Sequence, residues 1–195
     1  MSVRNPLILL LALGGLGIGY VLLSALGGPD PSGTGDLRAL ARGDMVKFQP
    51  TPDRPPAPEV RFLDAAGSER TLADFRGRVV LVNLWATWCA PCIEEMPALD
   101  RLQAELGGPD FEVVAISLDQ AGPAEALPFL ERLEVKALTP YFDRTMKTGL
   151  AFDAPGMPVS VLIDRDGREV GRVLGKADWA SDDAKALIAH VIKNG

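Results

Sequence analysis

The sequence predicts an α/β domain in which a strand hands over to a helix at the chain's two cysteines. Three observations carry that reading. The run Val79 to Leu84 is apolar, rich in β-branched residues and too short for a stable helix, so it reads as a buried strand. Ile93 to Leu106 has apolar residues at helical spacing and acidic Glu94 and Glu95 in its first turn. Between them lies Trp85-Ala86-Thr87-Trp88-Cys89-Ala90-Pro91-Cys92, a Cys-x-x-Cys pair where the helix begins.

The chain has 195 residues, 47% of them hydrophobic, with a formal net charge of −6. That length supports one domain with its own core, and the acidic balance argues against nucleic acid as a partner. No charged side chain occurs from Leu7 to Leu26. As a helix this run would span roughly 30 Å, the thickness of a bilayer's hydrocarbon core. Arg4 precedes it, and Asp30 and Asp36 follow before any base. The positive-inside rule then predicts a single-pass membrane anchor that keeps the short tail in the cytoplasm and exports the rest. Ser24-Ala25-Leu26-Gly27 would suit a cleavable signal peptide, but the apolar run exceeds the usual length, so the anchor is preferred. No cysteine stands near this boundary, which excludes a lipoprotein. Residues 1–27 are thus expected as anchor and 28–58, rich in Gly, Pro, Asp and Ser, as a tether with a short helix around Asp36 to Lys47. Residues 59–195 would be the globular domain.

Within that domain, Glu59 to Asp64 alternates like an edge strand and Ala65 to Ser68 supplies a turn. The cysteine-bearing strand and helix follow. Phe111 to Asp119 reads as the next buried strand, giving a right-handed βαβ unit with parallel strands. Pro123 to Leu133 and Arg144 to Phe152 look helical, with Pro128 starting or kinking the first. Val159 to Ile163 and Glu169 to Leu174 form a hairpin turned at Asp166-Gly167. Asp164 to Gly167 resembles part of a calcium loop, but the later Glu is missing and a turn explains it. An amphipathic helix capped by Ser181 closes the chain, with Ala184, Leu187, Ile188 and Val191 on one face.

The cysteine pair reads as a redox-active dithiol. A structural zinc site needs four ligands, yet there is no third cysteine and one histidine, His190, far along the chain. Haem attachment needs His after Cys92, where Ile93 stands. A helix N-terminus presents unpaired N–H groups and about half a positive charge, which lowers a thiol's pKa. Cys89, nearest those groups, is the candidate nucleophile. Cys92, within the first turn, would resolve the mixed disulfide, and Pro91 is tolerated beside it. Glu95, three residues beyond Cys92 on the same helix face, is the candidate proton acceptor, unless Glu94 and Glu95 merely complement the helix dipole. Trp88 is expected as an apolar rim for docking partners and Trp85 as core. Pro97 should bend the helix.

The βαβ unit, hairpin and closing helix, with Cys-x-x-Cys at the first strand-to-helix turn, are in thioredoxin-like order. The run Val82-Asn83-Leu84 through Cys92 to Asp100, together with Phe111 to Ser117, Gly156 to Leu162 and Asp178-Trp179-Ala180-Ser181, resembles TlpA. That family comprises membrane-anchored periplasmic thiol:disulfide interchange proteins of bacteria, related to ResA and CcmG. The resemblance covers about residues 55–193. It implies a thioredoxin-like fold with a mixed sheet, helices on both faces and an inserted segment, here Asp119 to Phe152. It also implies a thiol:disulfide oxidoreductase acting as a reductase. Its partners would be periplasmic dithiols and disulfides of haem- or copper-centre assembly proteins, recharged by an upstream membrane thiol donor. A family glutamate in Glu-x-Pro matches Glu95. The family's cis-proline matches Pro158, with Met157 offering backbone to an extended substrate. Asn83 stands where cytosolic thioredoxins carry a buried Asp.

Neither a metal nor another cofactor is required by this reading. A copper-carrying metallochaperone is the rival class, since thiolates hold Cu(I), but such carriers add a histidine and wider cysteine spacing. A thiol peroxidase shares the fold, but its Thr-x-x-Cys is not matched by Thr87-Trp88-Cys89.

Overall fold

The computed structural model describes residues 34–194. The anchor expected at 1–27, with its apolar run Leu7 to Leu26, lies outside the described residues. Among the described residues no helix is long and apolar enough to cross a membrane.

Chain order gives α1 (Thr34–Leu40), β1 (Gln49–Pro50), β2 (Arg61–Asp64), β3 (Glu69–Thr71), β4 (Val79–Trp85), α2 (Ala90–Leu106), β5 (Phe111–Ser117), α3 (Pro123–Arg132), β6 (Pro140–Phe142), α4 (Lys147–Ala151), β7 (Val159–Ile163), β8 (Glu169–Leu174) and α5 (Asp182–Asn194). Eight strands form one mixed sheet in the order β1-β8-β7-β4-β5-β6-β2-β3. β4 runs parallel to β5 through seven residue pairs, from Val79 opposite Phe111 to Trp85 opposite Ser117. On its other side it is antiparallel to β7, with Asn83 opposite Ser160. All seven β4 residues are buried, as expected of a central strand covered on both faces.

Side chains alternate across a strand, so β4 serves two cores. Val79, Leu81 and Trp85 face a cluster that contains Met96, Leu99 and Leu102 of α2, Ala126 and Leu130 of α3, and Ala184, Leu187, Ile188 and Val191 of α5. Val80, Val82 and Leu84 face a second cluster with Phe62, Phe75, Tyr141 and Phe152, and α4 lies on this side, where a Cβ on Gly149 would touch Leu118. In that alternation Asn83 falls on the α2 face.

Three expectations are corrected. The segment 28–58 is not a free tether from Thr34 onward: Leu37 and Met45 are fully buried, Phe48 nearly so, and β1 pairs with β8. These three residues complete the core under α5, although turn-forming residues dominate the segment's composition. β2 is not an edge, because it is hydrogen-bonded to both β3 and β6. The short polar strand β3 takes the edge. The insertion contributes a strand of its own, β6, parallel to β5, between its two helices. Pro128 lies inside α3, whose first residue is Pro123, and Pro97 lies inside α2.

The hairpin, the closing helix and its cap are found where expected. Asp164 Oδ1 accepts from the amides of Asp166 and Arg168, which accounts for the calcium-like sequence as a turn. Ser181 Oγ accepts from the amide of Ala184 at 3.2 Å.

Candidate active site

The site lies where β4 ends. Cys89 is the residue before the first turn of α2, and its carbonyl accepts from the amides of Cys92 at 3.0 Å and Ile93 at 3.1 Å. Cys89 and Cys92 are joined by a disulfide with a Cα–Cα separation of 5.3 Å. Cys89 keeps 6% exposure and Cys92 none, so the pair is unequal in its access to solvent. Trp88 beside it is 63% exposed, whereas Trp85 is buried against Phe129.

The loop between β4 and the cysteines is pinned from the neighbouring strand. Asp119, fully buried just after β5, accepts from the Thr87 amide at 3.1 Å, from Thr87 Oγ1 at 2.8 Å and from Ser117 Oγ at 2.8 Å. The Leu118 amide donates to Trp85 O at 2.8 Å. These bonds order the turn that carries Cys89.

The Met157–Pro158 peptide bond is cis. Pro158 is buried, Met157 half-buried, and the Gly175 amide donates to Pro158 O at 2.9 Å. Since Leu84 pairs with Val159, Pro158 stands one residue further on, at the same sheet end as the dithiol.

One turn into α2, Glu94 and Glu95 part company. Glu94 is exposed and ion-paired with Lys176. Glu95 points the other way and is 2% exposed. Its Oε1 accepts from Asn83 Nδ2 at 2.7 Å and its Oε2 from the Ala177 amide at 3.1 Å. Burial pushes its pKa from 4.5 up to about 7, against the lowering effects of the Asn83 and Ala177 hydrogen bonds and of Lys47 and Lys176. A helix-dipole role describes Glu94; Glu95 is instead a buried carboxyl that can exchange its proton near neutrality. Asn83 also donates to Ser160 Oγ at 2.9 Å, linking β4, β7 and α2.

A redoxin family model matches residues 53–188. The chain belongs to the redoxin family. Its similarity to ResA, a thiol-disulfide oxidoreductase of Bacillus cereus, is 30% identity over 120 residues, 62% of this chain and 68% of that protein. It is 33% identical over 118 residues to YneN, a thioredoxin-like protein of Bacillus subtilis, covering 57% of this chain and 65% of the other. Among solved structures, a thiol:disulfide interchange protein DsbE from Chlorobium tepidum superposes with a TM-score of 0.64 at 30% identity, over 71% of this chain and 96% of that one. This redoxin is a thioredoxin-fold protein of the TlpA/ResA/CcmG kind, and with its Cys89–Cys92 pair a thiol:disulfide oxidoreductase.

The structure thus gathers Cys89, Cys92, Glu95, Trp88, Met157 and Pro158 at one end of the sheet. Sequence reasoning missed Asp119 and Ser160. Asp119 had a usable signal, an acidic residue directly after a parallel strand next to the one carrying the motif, at the sheet end where α/β folds build their sites. A separate cleft of about 940 Å³ lies away from the dithiol, among Val60, Phe62, Arg76 and Lys147. Among the described residues no group of three or more His, Cys, Asp or Glu is arranged to hold a metal.

Proposed function

We propose that this redoxin is a membrane-anchored periplasmic reductase that keeps the cysteines of cytochrome or cytochrome oxidase assembly proteins in the thiol state. The observation that carries the direction of electron flow is the buried Glu95 carboxyl one turn beyond Cys92. Oxidants of this fold hold the nucleophile as a strongly stabilised thiolate, which favours their reduced form. Here the intervening residues, Ala90 and Pro91, bring no cation, and an ionised Glu95 would oppose a nearby thiolate. Both effects make the dithiol a better electron donor.

In this reading the Cys89 thiolate attacks a partner disulfide, breaking its S–S bond and releasing one partner thiolate. Cys92 then passes its proton to Glu95 and attacks Cys89 Sγ in the mixed disulfide. The second partner sulfur leaves, protonated from solvent, and the Cys89–Cys92 bond closes. Two electrons have moved to the partner, and an upstream membrane thiol donor restores the dithiol. Trp88 supplies an apolar contact for the partner, and the backbone at Met157–Pro158 lies along its cysteine-bearing segment. The apolar run Leu7 to Leu26, with Arg4 before it, supports the anchored and exported arrangement.

Equilibration of the protein against a glutathione or dithiothreitol series measures the deciding quantity. The expected potential is near that of thioredoxin, about −270 mV, and a value near DsbA's, about −120 mV, would make the protein an oxidase instead.

A further inference from the structure

We propose that the Asn83 carboxamide is a proton-responsive positioning group for Glu95, turning by half a rotation about Cβ–Cγ when that carboxyl gains its proton. The inference rests on the reading of Glu95 as the proton acceptor of Cys92 and deepens it. Its starting point is an orphan: Asn83 is fully buried, and its Oδ1 has no hydrogen-bond partner, while its Nδ2 has two.

An ionised carboxylate needs donors, and Glu95 has one on each oxygen, Asn83 Nδ2 and the Ala177 amide. A protonated carboxyl has an O–H that needs an acceptor. Asn83 as it stands presents an NH₂ group to Oε1, which cannot accept it. The unpartnered Oδ1 can. A half-turn places Oδ1 where Nδ2 stood, 2.7 Å from Glu95 Oε1 and 2.9 Å from Ser160 Oγ. There it accepts from the carboxyl O–H and from the serine O–H, while the Ala177 amide stays on Oε2. The serine hydroxyl serves both states because it accepts in one and donates in the other.

The two ends of a carboxamide are nearly equal in size, and this torsion is soft, so the core does not repack. Each orientation leaves one buried amide atom without a partner. The orphan is the carbonyl oxygen in one and the NH₂ group in the other, so the turned state is reached only when the carboxyl O–H supplies its compensating hydrogen bond, and the proton on Glu95 decides between them. An aspartate at 83 could only accept and an apolar residue could do neither. The other charged groups acting on Glu95 are Lys47, before β1, and Lys176, after β8; Lys176 is also tied to Glu94. With the disulfide closed, neither cysteine titrates.

The test uses the oxidised full-length chain in detergent, labelled with ¹⁵N and ¹³C. The Glu95 carboxyl carbon gives its titration midpoint, and the Asn83 side-chain amide protons report their neighbours through nuclear Overhauser contacts. Above the midpoint, contacts from those protons to the Ser160 and Glu95 side chains are expected; below it they should vanish, with the amide shift moving at the same midpoint. In Glu95→Gln the low-pH pattern should hold from pH 5 to pH 9, because the Ala177 amide keeps the new side chain's carbonyl and leaves its NH₂ group facing Asn83. Contacts unchanged through the Glu95 titration would overturn the proposal. An amide that turns in the oxidised protein supports it even where Glu95→Gln leaves the pH profile of exchange unaltered, a result that would count against the proton-acceptor reading alone.

Discussion

Asn83 and Glu95 meet across the β4–α2 interface, Nδ2 to Oε1 at 2.7 Å, in a place that solvent does not reach. The alternation of β4 aims Asn83 at the face where its neighbours Leu81 and Trp85 pack as core. A buried pair of polar side chains costs free energy unless both are satisfied, and here Asn83 Oδ1 is left without a partner.

That burial makes stability depend on pH. The folded-state pKa of Glu95 is raised from 4.5 to about 7, so between those values the native protein keeps a proton that the unfolded chain has released. The group's contribution is complete below pH 4.5 and is lost as pH rises through 7, a change on the order of 3 kcal/mol. Denaturant unfolding of the oxidised protein should give a lower midpoint at pH 8 than at pH 5. Glu95→Gln should flatten that difference, and an equal slope in the variant would mean that another group is responsible.

Asp119 should matter for the order of the cysteine loop. Asp119→Ala removes the acceptor of the Thr87 amide, the Thr87 hydroxyl and the Ser117 hydroxyl together. The expected loss is about 2–4 kcal/mol, with faster hydrogen exchange at the Thr87 amide. Asp119→Asn, which keeps an acceptor oxygen, should lose less. Unchanged exchange at Thr87 in Asp119→Ala would show that the loop is held elsewhere.

The amino-terminal arm can be tested at Gly171. A Cβ there would stand 2.4 Å from Phe48 Cζ and 2.7 Å from Gln49 O, so no larger residue fits while β1 lies on β8. Gly171→Ala should displace the arm and cost about 1–3 kcal/mol, with protease cutting between Met45 and Pro50 that the parent resists. Equal resistance in the variant would mean that the contact relaxes without release.

Much of this was legible in the sequence, for reasons that particular residues make plain. β4, α2 and the hairpin carry long apolar runs whose period decides their type, and the cysteine pair sits at their junction. The cis bond at Pro158 came from resemblance, because an X–Pro pair does not specify its isomer. β3 and β6 escaped notice because three-residue strands have too few residues for a period, and their pairing with β2 and β5 is a tertiary fact. The arm was misjudged because its larger apolar residues, Leu37, Leu40, Met45, Val46 and Phe48, are few, follow no sustained period and are flanked by turn-formers. Asn83 was legible as a missing acid, but not as the donor to Glu95, since that pairing joins a strand to a helix across 12 positions.

The last prediction concerns the unequal sulfurs and the indole beside them. Cys92 is fully buried, while Cys89 keeps a small exposed surface next to Trp88, whose side chain is largely in solvent. An exposed tryptophan adds little to the stability of its own domain but can bury a large apolar area in a complex. Trp88→Ala should therefore leave the unfolding midpoint within about 0.5 kcal/mol of the parent while weakening exchange with protein disulfides more than with a small disulfide. In the reduced protein Cys89 should alkylate first. Cys89→Ser should abolish exchange, whereas Cys92→Ser should attack a partner and stay joined to it, because the sulfur that would resolve the bond is gone. Mixed disulfides accumulating on Cys92→Ser, and fewer of them on the Cys92→Ser, Trp88→Ala double variant, would tie both residues to one docking event. Faster alkylation at Cys92 than at Cys89 would reverse the roles of the two sulfurs.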